Sequence, residues 1–196
     1  MSSRVTELHC IMPIINIPSV MAHGILCHEK AEKLKHYSVA MQEIQDKRDN
    51  VQVPGGLKLH QYANLYFDAR NPMMFKRRKH AANLTVLIIS TEVMRIDDVV
   101  VSDQNASSRW ALFLSPEVGI KRLNFDLIYA DDWRHPDDQI AYFQHKSAKC
   151  AEVLVPKCAP ADYIQGAYVV SDKSKKALLE LGFGLDIVVN PHLFFD

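Results

Sequence analysis

The 196 residues carry 23 lysines and arginines against 23 aspartates and glutamates, so the chain is formally neutral, with 48% hydrophobic and 23% charged residues. That is the balance of an ordinary globular domain, and it excludes both a disordered polyelectrolyte and a protein that coats nucleic acid through overall positive charge. The length suits one domain spanning 1–196 with a substantial core.

No run approaches the ~20 apolar residues of a membrane span. The first residues, Met-Ser-Ser-Arg-Val-Thr-Glu, lack the apolar centre of a secretory signal, so the cytoplasm is the expected compartment. Cys10, Cys27, Cys150 and Cys158 are scattered without CxxC spacing. Reduced, structural cysteines and no metal site are expected.

In chain order, Leu8 to Met12 reads as a first strand. Asn16 then caps a short helix with Pro18 in its first turn, and Gly24 closes it. Residues 31–48 have charged, weakly amphipathic helical character. After a Pro54-Gly55-Gly56 turn, a short strand over Leu65 to Phe67 ends at Asn71-Pro72. Asn83 to Ser90 is apolar nearly throughout and predicts a strand buried on both faces. Val99 to Val101 and Phe125 to Tyr129 read as short strand pieces, with the polar turn 102–106 between them. A helix is expected over Pro136 to Lys146, then a strand over Ala151 to Val155, a short turn or helix, and a strand over Ala167 to Val170. Ser171 caps a helix that Gly182 ends, before a last strand at Asp186 to Val189. Helices inserted irregularly among many short strands favour a mixed α+β fold with a split, largely antiparallel sheet. Neither of the two commonest phosphate-binding loops occurs.

The stretch from Val53 to Met74 concentrates a tight turn, tyrosines, an arginine and a methionine pair, as the wall of a binding cleft does. Lys76-Arg77-Arg78-Lys79 follows it; such a run is ordinarily a solvated loop, and beside a cleft it can also meet phosphate. Glu152 interrupts an apolar strand. Alternation puts it either on a solvent face or in a cleft, where it could anchor a sugar hydroxyl or act in acid–base chemistry. His9 fits a hydrogen-bonded core position or a ligand contact, and Arg48 a surface ion pair or a clamp for phosphate or a base edge. Tyr66 and Phe67 fit strand positions, Met73 and Met74 gap-filling ones. Singly, each has an ordinary structural explanation.

The ordered set is more specific. Leu8-His9-Cys10-Ile11 with Ile17-Pro18-Ser19, the segment Glu43 to Arg48, the Gly55 to Met74 block and Ala151-Glu152-Val153-Leu154-Val155 together resemble the DarT family, toxins that transfer ADP-ribose from NAD to DNA bases. The resemblance covers roughly residues 6 to 170. It implies the ADP-ribosyltransferase fold, two antiparallel-rich sheets with an NAD cleft between them and peripheral helices. By position, it implies that Glu152 binds the 2′-hydroxyl of the nicotinamide ribose and that Arg48 covers NAD and orients or deprotonates the acceptor base. His9 would hold the adenosine-side ribose, Tyr66 and Phe67 wall the nicotinamide, and Met73 pack against NAD or the base. The implied acceptor is thymine or guanine in single-stranded DNA, with nicotinamide released. Arg70, Lys76, Arg77, Arg78 and Lys149 are the candidates for DNA backbone contacts, together with Arg109 and Lys146, and a macrodomain antitoxin is the implied partner. The chain departs from the family pattern at its first strand, which reads Leu-His-Cys-Ile-Met where Tyr-His-Ile-Thr-His is usual. It departs again at Ser102-Asp103-Gln104-Asn105-Ala106, where an Asp-Gly-Asn-Ala type is usual. RNA or protein acceptors, and a non-catalytic nucleic-acid-binding module, are the alternatives.

Overall fold

Eight strands form a sheet whose order is β10-β9-β4-β1-β3-β7-β5-β6 in the computed structural model, which describes residues 4–38 and 42–196. They are β1 (Leu8–Pro13), β3 (Tyr62–Tyr66), β4 (Leu84–Ile89), β5 (Val100–Ser102), β6 (Phe113–Leu114), β7 (Glu152–Pro156), β9 (Ile164–Val169) and β10 (Asp186–Val189). Only β9 and β10 run parallel; the other pairs are antiparallel. A separate ribbon joins β2 (Ile25–Leu26) to β8 (Cys158–Ala159).

The sheet is split at its middle. β1 pairs with β4 along its whole length, from Leu8↔Ile89 to Pro13↔Leu84. β3 likewise pairs with β7 throughout, from Tyr62↔Pro156 to Tyr66↔Glu152. Between β1 and β3 the ladder consists of the single pair His9↔Tyr66. Two four-stranded halves therefore meet at one point and diverge beyond it, leaving a cleft between facing strand edges. This is the split, antiparallel-rich α+β arrangement expected from the sequence.

One side of the sheet carries the main core. Leu8, Leu65, Leu87, Val153 and Ala167 are fully buried there, each such aliphatic burial being worth about 1.5–3 kcal/mol for the larger side chains. β4 is buried nearly throughout, as its unbroken apolar run predicts. Helix α1 (Ile17–His23) ends at Gly24, whose φ of 77° and closeness to Ala159 both demand glycine: a Cβ would lie 2.6 Å from that carbonyl oxygen. Ser171 caps α8 (Asp172–Glu180) by accepting from the Ser174 amide, and Gly182 follows with φ 83°.

Several local expectations are corrected. Asn16 does not cap α1. Its amide group instead clasps the backbone of Tyr37, donating to the carbonyl at 2.7 Å and accepting from the N–H at 3.0 Å. The helical reading of 31–48 resolves into α2 (His28–Ala31) and α3 (Gln42–Asp49), with residues 39–41 outside the described ones. Phe125 to Tyr129 is not a strand but α6 (Phe125–Ile128), because Asn124 caps it from Leu127 and Phe125 and Ile128 bury one helical face. β3 ends at Tyr66, before the Asn71-Pro72 step, which instead starts α4 (Pro72–Arg77): the buried Asn71 side chain accepts from Met73 and Met74, with Pro72 in the first turn. The basic run accordingly begins in the last turn of a helix, where cations meet its carbonyl end. The remaining α-helices among the described residues are α5 (Pro116–Arg122) and α7 (Gln139–Ala148).

Candidate active site

Glu152 opens β7 between Tyr66 of β3 and Ser102 of β5. Its side chain is 1% exposed, so alternation has turned it inward. A buried carboxylate needs partners, and two elements far apart in sequence supply them. Arg48 of α3 places one guanidinium nitrogen 3.1 Å from Oε1 and 3.3 Å from Oε2. The Ala106 backbone N–H, on the loop after β5, donates to Oε1 at 2.9 Å. The arginine meets the carboxylate end-on through a single nitrogen, not through the parallel two-nitrogen fork that gives the tightest such pairs.

Arg48 roofs the carboxylate and at the same time lines a cleft of about 350 Å³ together with Tyr66, Met73, Lys76, Asn105 and Phe143. A second cavity adjoins it along α1 and α2, and the two share Cys10, Gln45 and Asn64. The combined groove follows the opening between β1 and β3. Burial, reinforced by the Glu152 carboxylate, holds the Tyr66 phenol well above its usual range, so it is a neutral ring and hydroxyl. Burial likewise pushes the Cys10 and Cys150 thiols up to about 12, which leaves neither as a nucleophile at neutral pH. Among the described residues, no group of three His, Cys, Asp or Glu side chains could hold a metal ion, and no helix is long and apolar enough to cross a membrane.

The residues singled out from sequence divide sharply. Arg48, Tyr66, Met73 and Lys76 come together at the cleft, and Glu152 lies buried behind Arg48 and beside Tyr66. Phe67 does not: it is fully buried beyond the end of β3, its ring edge-on to Phe125. Phe67 instead lines the cavity that also holds His9, so Tyr66 and Phe67 face different cavities. His9 lies beside Tyr66 at the meeting point of the two halves but lines a different cavity, of about 300 Å³, with Glu7, Asp68 and Tyr168. One of its ring nitrogens is 3.2 Å from the Phe67 carbonyl and the other 2.9 Å from Glu7 Oε1.

The expected DNA contacts are corrected more heavily. Lys149 is fully buried, with its ammonium donating to Asp68 and to the carbonyls of Ile128 at 2.8 Å and Ala130 at 2.7 Å. Arg70 donates to the His192 carbonyl and stacks its guanidinium 3.9 Å over the Phe195 ring. Arg78 is folded onto Phe75, donating to its carbonyl at 2.7 Å. Arg77 lines a third cavity with Ile15 and His80, which shares Pro13, Tyr37 and Ser38 with the second and so lies at the far end of the groove from Glu152. The Ala106 amide and Phe143 are site features that reading the residues missed. The Asn105-Ala106 pair in the polar turn was the available signal for the first; the second is a ring on an ordinary helix.

A family model described as DarT, ssDNA thymidine ADP-ribosyltransferase, matches residues 9–195. A DNA ADP-ribosyl transferase–DNA ADP-ribosyl glycohydrolase fusion protein of Thermosipho africanus is 28% identical over 208 residues, covering 100% of this chain and 51% of the fusion. The chain thus spans about half the length of that relative. Among solved structures, Thermus sp. 2.9 DarT in complex with ADP-ribosylated ssDNA superposes with a TM-score of 0.84 at 22% identity, over 97% of this chain and 96% of that one. The same Thermus protein in complex with NAD+ gives 0.80 at 20% identity, over 97% and 98%. At those identities the structures speak to fold alone. The family match extends over nearly the whole length, from β1 to the C-terminal turn, and the chain belongs to the DarT family of ssDNA thymidine ADP-ribosyltransferases.

Proposed function

We propose that this chain, read as one ADP-ribosyltransferase domain, transfers ADP-ribose from NAD to a thymine base in single-stranded DNA and releases nicotinamide. The single observation that carries this reading is Glu152, buried directly beneath Arg48, which lines the split-sheet cleft, and held among the described residues by Arg48 and the Ala106 amide. A carboxylate so placed can accept a hydrogen bond from the 2′-hydroxyl of the nicotinamide ribose. That bond strengthens as positive charge develops on the sugar, so it lowers the barrier and not merely the ground state. The Ala106 amide fixes the carboxylate while this happens.

The glycosidic bond between C1′ and the nicotinamide nitrogen breaks with its electron pair leaving on nicotinamide. A ring nitrogen of the base bonds to C1′ and gives up its proton, for which Glu152 is the adjacent acceptor. Arg48 must leave Glu152 for the ribose to reach it. Its guanidinium then lies at the cleft, where it can meet the diphosphate and orient the base. Tyr66 offers a neutral aromatic face, and Met73 a polarizable contact. A base within a duplex hides its edges, which is why a single-stranded acceptor suits the reaction.

We place the reaction in the cytoplasm, with a macrodomain-type ADP-ribosyl glycohydrolase as its antitoxin. The support for the partner is the Thermosipho relative, in which a transferase and a glycohydrolase share one chain. Mass spectrometry after incubation with NAD and thymine-containing single-stranded oligonucleotides tests the reaction. The expected result is a gain of one ADP-ribose with one nicotinamide released. Transfer only to RNA or protein, or nicotinamide release without any adduct, overturns it.

A further inference from the structure

Phe143 is exposed where a purely structural ring would not be. Helix α7 is anchored by Asp138 at its start and by the buried His145 and Lys149 at its end. Its Phe143 ring nevertheless remains 55% exposed while lining the cleft that holds Arg48 and Tyr66. Ser147, one turn further on the same face, accepts at its carbonyl from the Asn105 amide at 3.0 Å. That bond ties the Phe143 face of the helix to the loop that presents the Ala106 amide to Glu152.

Cations flank the ring. Lys146 lines the same cleft, with its ammonium donating to the Tyr142 hydroxyl at 3.1 Å and lying 5.1 Å from that ring's centre. Lys76 lines it from α4. An isolated exposed apolar side chain needs no explanation, and Ile140 on the same helix, 71% exposed, does not line the cleft. A ring at a cleft mouth between cations is different. It matches a chain of flat apolar faces joined by anionic links, the chemistry by which single strands are bound through stacking and phosphate contact.

We infer that Phe143 is the stacking platform for a base of the single-stranded acceptor, with Lys146 taking a neighbouring phosphate. The inference rests on the DNA reading above and adds which surface holds the strand. Fluorescence anisotropy of a labelled, thymine-containing single-stranded oligonucleotide, with NAD-induced thermal shift measured in parallel, tests it. Phe143→Ala should weaken oligonucleotide binding about 5- to 100-fold, and Phe143→Trp should restore it. Ile140→Ala should bind as the parent does, and the NAD-induced shift should be the same in all of them. Phe143→Ala binding as tightly as Ile140→Ala overturns the platform. So does an equal loss of the NAD shift, which would make the ring a wall of the NAD site. A parent protein that binds the oligonucleotide through Phe143 but transfers no ADP-ribose sinks the proposed reaction and supports the platform; one that does not bind it at all overturns both.

Discussion

Two buried ion pairs sit close in sequence at one end and do opposite jobs. Lys149 and Glu152 are three residues apart at the junction of α7 and β7, and each finds its partner far away, at Asp68 and Arg48. Lys149 spends all three ammonium protons on Asp68 and two carbonyls, is fully buried and lines no part of the cleft. Glu152 is as deeply buried, but its arginine approaches end-on and itself forms part of the cleft wall. The Lys149 ammonium is saturated, although its Asp68 partner lines the cavity beside His9; Glu152 has a single side-chain partner that can be displaced toward the cleft. Burial alone therefore does not separate a structural charge from a functional one. Both counter-ions line a cavity, so what separates the pairs is whether the buried charge has spent all its hydrogen bonds on fixed partners, as Lys149 has, or rests on one movable side chain and a backbone amide, as Glu152 does.

Lys149→Met should produce the largest effect if that contrast is right. It strands the Asp68 carboxylate and two carbonyls inside the protein, a loss of about 3–5 kcal/mol. For a chain of this size the melting temperature should fall by roughly 10 °C. A melting temperature within ~2 °C of the parent would break the structural reading of this pair.

Glu152→Gln should do the reverse. Glutamine keeps an acceptor for the Ala106 amide, so melting should change little, while the charge that strengthens its bond to the ribose is gone. Transfer should drop by about 100- to 1,000-fold, the range for losing a preorganised electrostatic contact. Comparable transfer by this variant, in an oligonucleotide mass assay, would remove Glu152 from the mechanism.

Arg48→Ala sharpens the comparison from the other partner. Its cation is needed at the cleft, so transfer should fall about tenfold, with less loss of stability than Lys149→Met because water can reach Glu152 from the cleft. Faster transfer in this variant would mean that Arg48 is only a cover over the carboxylate.

Legibility from sequence tracked how local the cause was. β4, the Ser171 cap and the Gly24 and Gly182 stops carry their reasons within a few residues, and they were readable. Glu152 and Arg48 emerged from an ordered pattern, not from any property of either residue. Lys149 misled because a lysine's charge points to the surface, and only the distant Asp68, Ile128 and Ala130 could say otherwise. Tyr66 and Phe67 were read together because they are adjacent, although they face different cavities. The Ala106 amide is backbone, and no side-chain pattern announces it directly. The single-pair contact between β1 and β3, which makes the cleft, depends on how two hairpin-like halves splay and leaves no mark in either strand.

Acid titration is the gentlest way to perturb the two pairs separately, because each has a histidine beside it. His145, 2.9 Å from His135, has its pKa lowered chiefly by burial, with smaller contributions from His135 and Lys149, against the raising effect of its 3.0 Å bond to the Leu127 carbonyl and of Asp132. His60 is also lowered chiefly by burial, with His28 and Arg48 adding to the effect and Asp49 opposing it. A histidine held below its ordinary value resists a proton that the unfolded chain accepts. Its stabilisation is therefore complete above about pH 6.5 and is lost as the pH falls from there toward the lowered folded value. The melting temperature should accordingly decline shallowly below neutrality. His145→Gln should flatten that decline on the Lys149 side, whereas His60→Gln should also make the NAD-induced shift less dependent on pH, since it removes the charge that a protonated His60 would set near Arg48. Thermal melts and NAD-induced shifts between pH 5 and 8 read the two apart. If both variants flattened the same curve by the same amount, the saturated pair and the displaceable pair would be one cooperative unit, and the distinction between them would fall.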